Sequence, residues 1–488
     1  MALRMSNASR YIAATLTAAT LMACNDPSSV DSPYIVTPVT TGALSGTPGW
    51  ALTDTLVVEV RDVDGNLVPG AKVTWSLPNG GRLAVQLADA DDPKHGTTDD
   101  RGRNYAVWTL GLDEGTQVAK VAAGLTGVPV EFEAEATVLH AKQVAAGGAH
   151  ACAILNDQRL VCWGSNSNGG LGTGDAPSYV TRWPVPLPGL PAALEVRAAT
   201  DDLTCARDLA GDVWCWGSNY FGQAGPVASM PFQLTPVRVP GAEGASRIAL
   251  RSDYTGHTCA LVSSEARCWG SNNYGQLGTG STTSSSAPQP VVGSGEFVGI
   301  VAGYGRTCAL DVDGETWCWG DGSGDSFSPL PSGTYTVPTR PIPGQHYYSL
   351  AVGETSVCGI QLSGVATCFG SMGDGGLGTR IDYPFHTTAP VRPDVGESFA
   401  AVTADGSSSF FGTSRYGEVF WWGGEYHSGF TMRPLPITPS FRVIDISASR
   451  GQYCVISEAG GVYCGKRDRE YAFHGEERLI GVPAIMTP

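Results

Sequence analysis

Positive charge is scarce in this sequence. Its 30 Lys and Arg face 46 Asp and Glu, giving a formal net charge of −16 over 488 residues, and only 16% of residues are charged at all. Binding a polyanion needs a basic footprint, so nucleic acid is excluded as a partner. Long apolar runs are missing too. Beyond the N-terminal region no segment supplies the ~18 consecutive apolar residues that a membrane-crossing helix needs.

Catalytic signatures are equally thin. There is no G-x-S-x-G elbow and no H-E-x-x-H. Gly460-Gly-Val-Tyr-Cys-Gly-Lys466 has phosphate-loop spacing, but Arg467 replaces the Ser or Thr that would hold magnesium. Asp62-Val-Asp-Gly65 and Asp311-Val-Asp-Gly314 begin like calcium loops, lack the later ligands, and fall where hairpin turns are expected. Asp321-Gly-Ser-Gly-Asp325 reads as a loop. His150 and His257 share a position two residues before a cysteine, where the other units place Leu203, Arg306, Ser356, Ser409 and Gln452; such variation makes them packing residues, not a ligand set. No catalytic residue, metal or cofactor is expected.

What the chain does have is glycine (64), proline (32) and cysteine (13). Many turns and short strands follow from the first two. At the N-terminus, Arg4 and Arg10 precede a short apolar run ending in Leu21-Met-Ala-Cys24. This is the layout of an export signal. Leu21–Cys24 resembles the lipobox of bacterial lipoproteins, which implies cleavage after residue 23 and a lipid on Cys24, the chain's only expected link to a membrane. Residues 24–41, rich in Pro, Ser and Thr, read as a tether.

The rest of the chain is periodic. Cys162-Trp-Gly164, Cys215-Trp-Gly217, Cys268-Trp-Gly270, Cys318-Trp-Gly320, Cys368-Phe-Gly370, Trp421-Trp-Gly423 and Cys464-Gly465 recur 43–53 residues apart. A period near 50 residues with dense turn residues is a propeller signature. Six units carry a second cysteine upstream, ten residues away in five of them and nine in the sixth. Both spacings set the two cysteines opposite each other across a hairpin, with a three-residue loop in the first case and a two-residue loop (Ser263-Ser264) in the second. Glycine stands third in the longer loop at Gly211, Gly314, Gly364, Gly417 and Gly460, where a left-handed residue is wanted. Zinc and buried thiols are the alternatives. The spacing does not suit a zinc cluster, and an exported chain meets oxidising conditions. Six disulfides are therefore expected: Cys152–Cys162, Cys205–Cys215, Cys259–Cys268, Cys308–Cys318, Cys358–Cys368 and Cys454–Cys464. With Cys24 they account for all 13 cysteines. The remaining unit, sixth in chain order, lacks both members, with Phe411 and Trp421 in their places.

Gly256-His-Thr-Cys-Ala-Leu261, Cys268-Trp-Gly-Ser-Asn272 and Gly275-Gln-Leu-Gly-Thr-Gly280 together resemble the repeat of the regulator of chromosome condensation family. The resemblance runs over 140–488 and implies a seven-bladed β-propeller, with the paired cysteines pointing to a secreted bacterial branch. The segment 42–139 alternates strands and turns, and its Asp-Gly-Asn66, Val68-Pro-Gly70, Trp75 and Trp108-Thr-Leu-Gly111 resemble bacterial Ig-like domains. The expected fold class is thus all-β: an N-terminal Ig-like β-sandwich followed by the propeller.

The loops after each Trp-Gly carry Tyr220, Phe221, Tyr274, Phe327, Tyr426, His427, Tyr471 and Phe473. These are the candidate partner-binding residues, since aromatics bury much area with few rotors. The function they imply is a monomeric, non-catalytic, lipid-anchored binding or adhesion module in the cell envelope. Its expected partner is an extracellular or envelope protein, with a glycan as the alternative. A secreted enzyme inhibitor using the same aromatics is the second reading, and a hydrolase or lyase with an axial pocket the third.

Overall fold

The computed structural model describes residues 34–480 except 47–50, 53, 79–80, 86–94, 112–114, 125–127, 138, 176–179, 188, 227–230, 252–254, 294, 372–375, 379–388, 394–396, 407–408, 424–434, 438–440, 451 and 468–472. Cys24, Tyr426, His427 and Tyr471 lie outside the described residues, as does the side chain of Phe473. Among the described residues the only helical element is one 3-10 turn, Ser323–Asp325. The chain divides into two compact units after Thr137.

The first unit is two sheets around one apolar cluster. Leu56–Arg61 sits between Ile35–Pro38 and Arg103–Thr109, with Arg82–Val85 at the edge; the second sheet orders Leu44–Gly46, Val130–Ala136, Gly115–Ala123, Lys72–Ser76 and His95–Thr97. Side chains along Leu56–Arg61 alternate buried and half-buried, as a strand with one face on a core must. Val58, Val60 and Trp108 from one sheet meet Trp75, Val121 and Phe132 from the other. Trp75 stacks on Phe132 at 5.9 Å and donates its indole N–H to Asn104 at 2.9 Å, so the polar edge of a buried ring is satisfied.

The second unit consists of seven sheets in chain order. Six have four strands, and the fifth has three among the described residues. Within each, successive strands pair antiparallel with their neighbours. The first strands are Ala141–Ala146, Ala193–Ala198, Ala245–Arg251, Phe297–Gly303, Ser349–Val352, Phe399–Ala404 and Val443–Ser449. Each touches the first strand of the next sheet, and that of the seventh touches that of the first.

One hydrogen bond repeats at every junction. The carbonyl at the hairpin between second and third strands accepts from the amide where the next sheet's first strand begins. The pairs are Ala193→Gln158, Ala245→Gly211, Phe297→Ser264, Tyr347→Gly314, Phe399→Gly364 and Val443→Gly417, at 2.7–3.0 Å, and Ala141→Gly460 at 2.9 Å joins the first sheet to the seventh. The accepting residue is left-handed throughout. Five are glycine, while Gln158 (φ 68°) and Ser264 (φ 67°) adopt the same conformation against their intrinsic preference. Ser263 is also left-handed, so the shorter hairpin turns through two positive-φ residues, the geometry whose twist suits adjoining strands.

The six cysteine pairs stand directly opposed across the second and third strands at bonding distance, with Cα atoms 4.1 Å apart in each. In the sixth sheet Phe411 and Trp421 occupy that register. Both are buried in a cluster with Val443 and Tyr453, whose ring stacks on Phe411 at 6.0 Å.

The signature tryptophans explain the lateral packing. Indole N–H groups of Trp216, Trp269 and Trp319 donate to Gly170, Gln223 and Gln276 of the preceding sheet at 2.8–2.9 Å. The same three carbonyls accept from the hydroxyls of Thr204, Thr258 and Thr307. A buried carbonyl thus takes two donors, one per lone pair. The glycine two residues after two of these acceptors, Gly172 or Gly278, lies against the incoming indole: a Cβ there would come within 2.8–2.9 Å of the ring nitrogen.

Candidate functional site

Antiparallel pairing gives the second unit two ends. The hairpins between second and third strands gather at one end. The loops that follow Trp-Gly, and those between first and second strands, gather at the other.

At the loop end, Tyr220 is 60% and Phe221 37% exposed. Tyr220 rests edge-on against Phe232 at 5.3 Å. Tyr274 is half-buried over Gly305 of the next sheet, its backbone N–H held by Gln276. Phe327 corrects the sequence reading. It is fully buried, packed on Tyr335 at 5.7 Å and covered by the Arg306 guanidinium at 5.7 Å, because its loop folds back on its own sheet. Burial lowers Arg306 to about 10, although Asp321 lies 3.7 Å away.

The histidines are also interior. His150 and His257 are wholly buried, with Nε2 2.7 Å from the Thr204 hydroxyl and 2.9 Å from that of Thr307, so each ties its sheet to the next. The acidic turns are spent locally: Asp62 accepts from the amides of Asp64 and Asn66, and Asp311 from those of Asp313 and Glu315 as well as the Trp317 indole. Among the described residues no cluster of three or more metal-ligating side chains occurs.

The hairpin end holds what sequence reasoning missed. Leu209, Val312, Leu362 and Tyr416 sit on hairpin turns, with Leu362 81% and Tyr416 75% exposed. Leu194, Val298 and Ile444, each the second residue of a first strand, and Tyr348 beside another, are exposed next to them. Eight large apolar side chains therefore crowd one end of the unit.

Inside that crown is a cleft of about 520 Å³. Its polar wall comes from Gln143, Glu195, Arg247 and Asp445, each the residue that follows a β-bulge recurring in the first strands. A bulge re-aims one side chain out of the alternating pattern. Lys142, Arg197 and Arg207 complete the charged lining, with Leu194 and Ile444 as apolar walls. Glu195 is held between Arg197 at 3.1 Å and Arg207 at 3.3 Å. Asp445 accepts from the Val144 amide at 3.1 Å, and Gln143 from that of Val196 at 2.9 Å, so these side chains also link neighbouring sheets. Burial pushes the Asp445 carboxyl up to about 6, against the opposing pull of the Val144 N–H and the Arg197 charge.

Residues 141–169 and 198–223 match one family model for the Regulator of chromosome condensation (RCC1) repeat, and 268–310 match a second. Those three stretches are similar to the chromosome-condensation-regulator repeat. Ultraviolet-B receptor UVR8 of Arabidopsis thaliana is 30% identical over 35% of this chain and 39% of its own length. The probable human E3 ubiquitin-protein ligase HERC4 is 32% identical over 36% of this chain and 16% of its own. The chain thus spans about two-fifths or less of those relatives. Prp20p from Saccharomyces cerevisiae, studied with its binding properties to Gsp1p and histones, superposes with a TM-score of 0.54 at 21% identity, covering 63% of this chain and 80% of that one. Human WBSCR16 gives 0.57 at 17%, covering 80% of this chain and all of its own. At these identities the likeness speaks for the fold alone. The repeat unit is all-β and propeller-like.

Proposed function

We propose that this chain is an exported, lipid-anchored, non-catalytic binding protein whose repeats form a closed seven-bladed propeller and engage a partner protein. The apolar crown at the hairpin end carries the reading. Eight large apolar side chains exposed at one end are what an interaction surface would present. Support for closure comes from the Ala141→Gly460 bond, which repeats the contact made at the other six junctions. Relatives bearing these repeats include a receptor and a ubiquitin ligase, in keeping with repeats that recognise proteins while any chemistry resides elsewhere. The first unit, in this reading, is a bacterial Ig-like spacer that lifts the propeller from a lipid on Cys24. Six bonded cysteine pairs suit an oxidising, extracytoplasmic setting.

The second reading places the partner at the loop end on Tyr220 and Phe221, which are exposed but stand together at one junction only. Capture of extracellular proteins on the intact chain separates the two. Leu209→Ser, Leu362→Ser and Tyr416→Ser together should abolish capture, while Tyr220→Ser with Phe221→Ser should leave it intact. The reverse pattern moves the site to the loops. Intact mass of the mature chain checks the anchor: cleavage before Cys24 and acyl mass on it are expected.

A further inference from the structure

The cleft inside the crown has a charge sign opposite to that of the molecule around it. Four cations, Lys142, Arg197, Arg207 and Arg247, face two carboxylates, Glu195 and Asp445, in a chain whose net charge is −16. A local surplus of one sign attracts groups of the other sign to the cleft. Both carboxylates already have partners of their own: Glu195 has two guanidinium groups and Asp445 a backbone N–H. Among the described residues Arg247 has no ion pair; it donates to the adjacent Ser246 carbonyl, and the residue is exposed. Lys142, also in the lining, is exposed as well.

Access is from one end. At the loop end Arg251 of the third sheet reaches across to the Gly406 carbonyl of the sixth at 2.9 Å, and Arg450 of the seventh comes within 3.8 Å of Asp201 of the second. At the hairpin end the cleft mouth is flanked by exposed Leu194 and Ile444. An entering group therefore meets apolar Leu194 and Ile444 together with the exposed Lys142 and Arg247.

We propose that this cleft receives a carboxylate carried by a partner polypeptide, an acidic side chain or chain terminus with apolar neighbours. Planar guanidinium groups suit a carboxylate because two N–H donors match its two oxygens. The flanking leucine and isoleucine select for a polypeptide over a free acid, since a small hydrated anion gains nothing from them. The proposal rests on the protein-binding reading above and names what that partner presents.

Panning a random dodecapeptide phage library on the immobilised full chain tests it, with the Lys142→Glu, Arg247→Glu double variant as counter-target. Both residues are exposed, so the variant should keep the wild-type melting temperature. Expected are peptides with Asp, Glu or a free C-terminus beside Leu, Ile, Val or Phe, whose affinity for the double variant falls about tenfold or more. Replacing their acidic residue by its amide should cause a similar loss. Enrichment of peptides without an acid, or binding unchanged by charge reversal, overturns the cleft assignment while leaving a protein-binding crown standing. Citrate binding in calorimetry with no peptide enriched makes this a small-anion site and overturns the polypeptide source. Loss of every enriched peptide on Leu209→Ser, Leu362→Ser but not on charge reversal shows the crown acting alone, and overturns the cleft's part.

Discussion

The Gly460 carbonyl accepts the Ala141 amide at 2.9 Å, joining the last sheet to the first with the bond that joins every other neighbouring pair. Two further amides from the first strand reinforce this junction: Val144 to Asp445 and Ala146 to Ser447. Repeat architectures draw stability from contacts between adjacent units, so the junction between distant chain segments carries the largest loop-closure cost.

Gly460→Ala should expose that cost. Gly460 has φ +76°, and an added Cβ would lie 2.4 Å from the Cβ of His140. The left-handed conformation alone costs an alanine ~1–2 kcal/mol. The expected outcome is a lower melting temperature, with faster hydrogen exchange at Ala141 and Val144 before the other junctions respond. Gly244→Ala, φ +69° but with open space around it, controls for conformational strain without the clash. Equal exchange at all junctions in the two variants would show that closure is not the weak point.

Gln158→Gly should act in the other direction. Gln158 is the one non-glycine at its turn position in the three-residue hairpins and is held at φ 68°. Its backbone alone makes the junction bond to Ala193, so the substitution removes no side-chain hydrogen bond while relieving roughly 1 kcal/mol of strain. Chemical denaturation should move to higher midpoint with unchanged slope. A lower midpoint would mean that the cleft wall, of which Gln158 is part, depends on its side chain.

Phe411 and Trp421 replace a cysteine pair and should behave as one unit. Each is at most 1% exposed. Truncating either to alanine should cost about 3–5 kcal/mol, as for buried aromatics generally. The double variant should cost less than the sum of the two singles, because opposed residues share one contact. Strict additivity in a double-mutant cycle would show that the pair does not substitute for a cross-link. Reducing agent should loosen the other six hairpins and spare this one, which exchange rates across Phe410–Ser414 would reveal.

Much of this was legible because it is local. The spacing of Cys259 and Cys268 sets a two-residue turn, and the turn dictates positive φ at Ser263 and Ser264. Glycine at the third turn position marked the hairpins, yet nothing in the sequence said that its carbonyl would reach the next sheet. Phe327 looked like its neighbours in the other loops, and its burial depends on Arg306 and Tyr335, which only the folded loop brings together. The cleft was invisible for a similar reason. Gln143, Glu195, Arg247 and Asp445 differ in chemistry and share only a place, the third residue of the first strand; the bulge that turns them inward is a property of pairing. Leu209, Val312, Leu362 and Tyr416 read singly as turn residues. Their common end of the molecule is what makes them a surface.

Asp445 makes stability depend on pH in a direction unlike the other shifted carboxylates. Its folded value is raised to about 6 from an ordinary 3.8 because burial disfavours the charge. Between those values the native state holds a proton that the unfolded chain has released, so this group's contribution to stability falls as pH rises and is lowest above 6. Asp62, Asp99 and Asp212 are held below 3.8 by hydrogen bonds, and their contributions are lost only in stronger acid. Asp445→Asn keeps an oxygen for the Val144 amide and removes the ionisation. The variant should melt above wild type at pH 8, with the gap narrowing through pH 6 to 4 and closing below the ordinary 3.8, measured in one buffer series at constant salt. The groups that share the cleft, Lys142, Glu195, Arg197, Arg207 and Arg247, remain in both proteins, so the difference isolates Asp445. A variant that melts lower at pH 8, or a gap that does not close on acidification, would mean that the carboxylate earns its place as a charge, through Arg197 across the cleft.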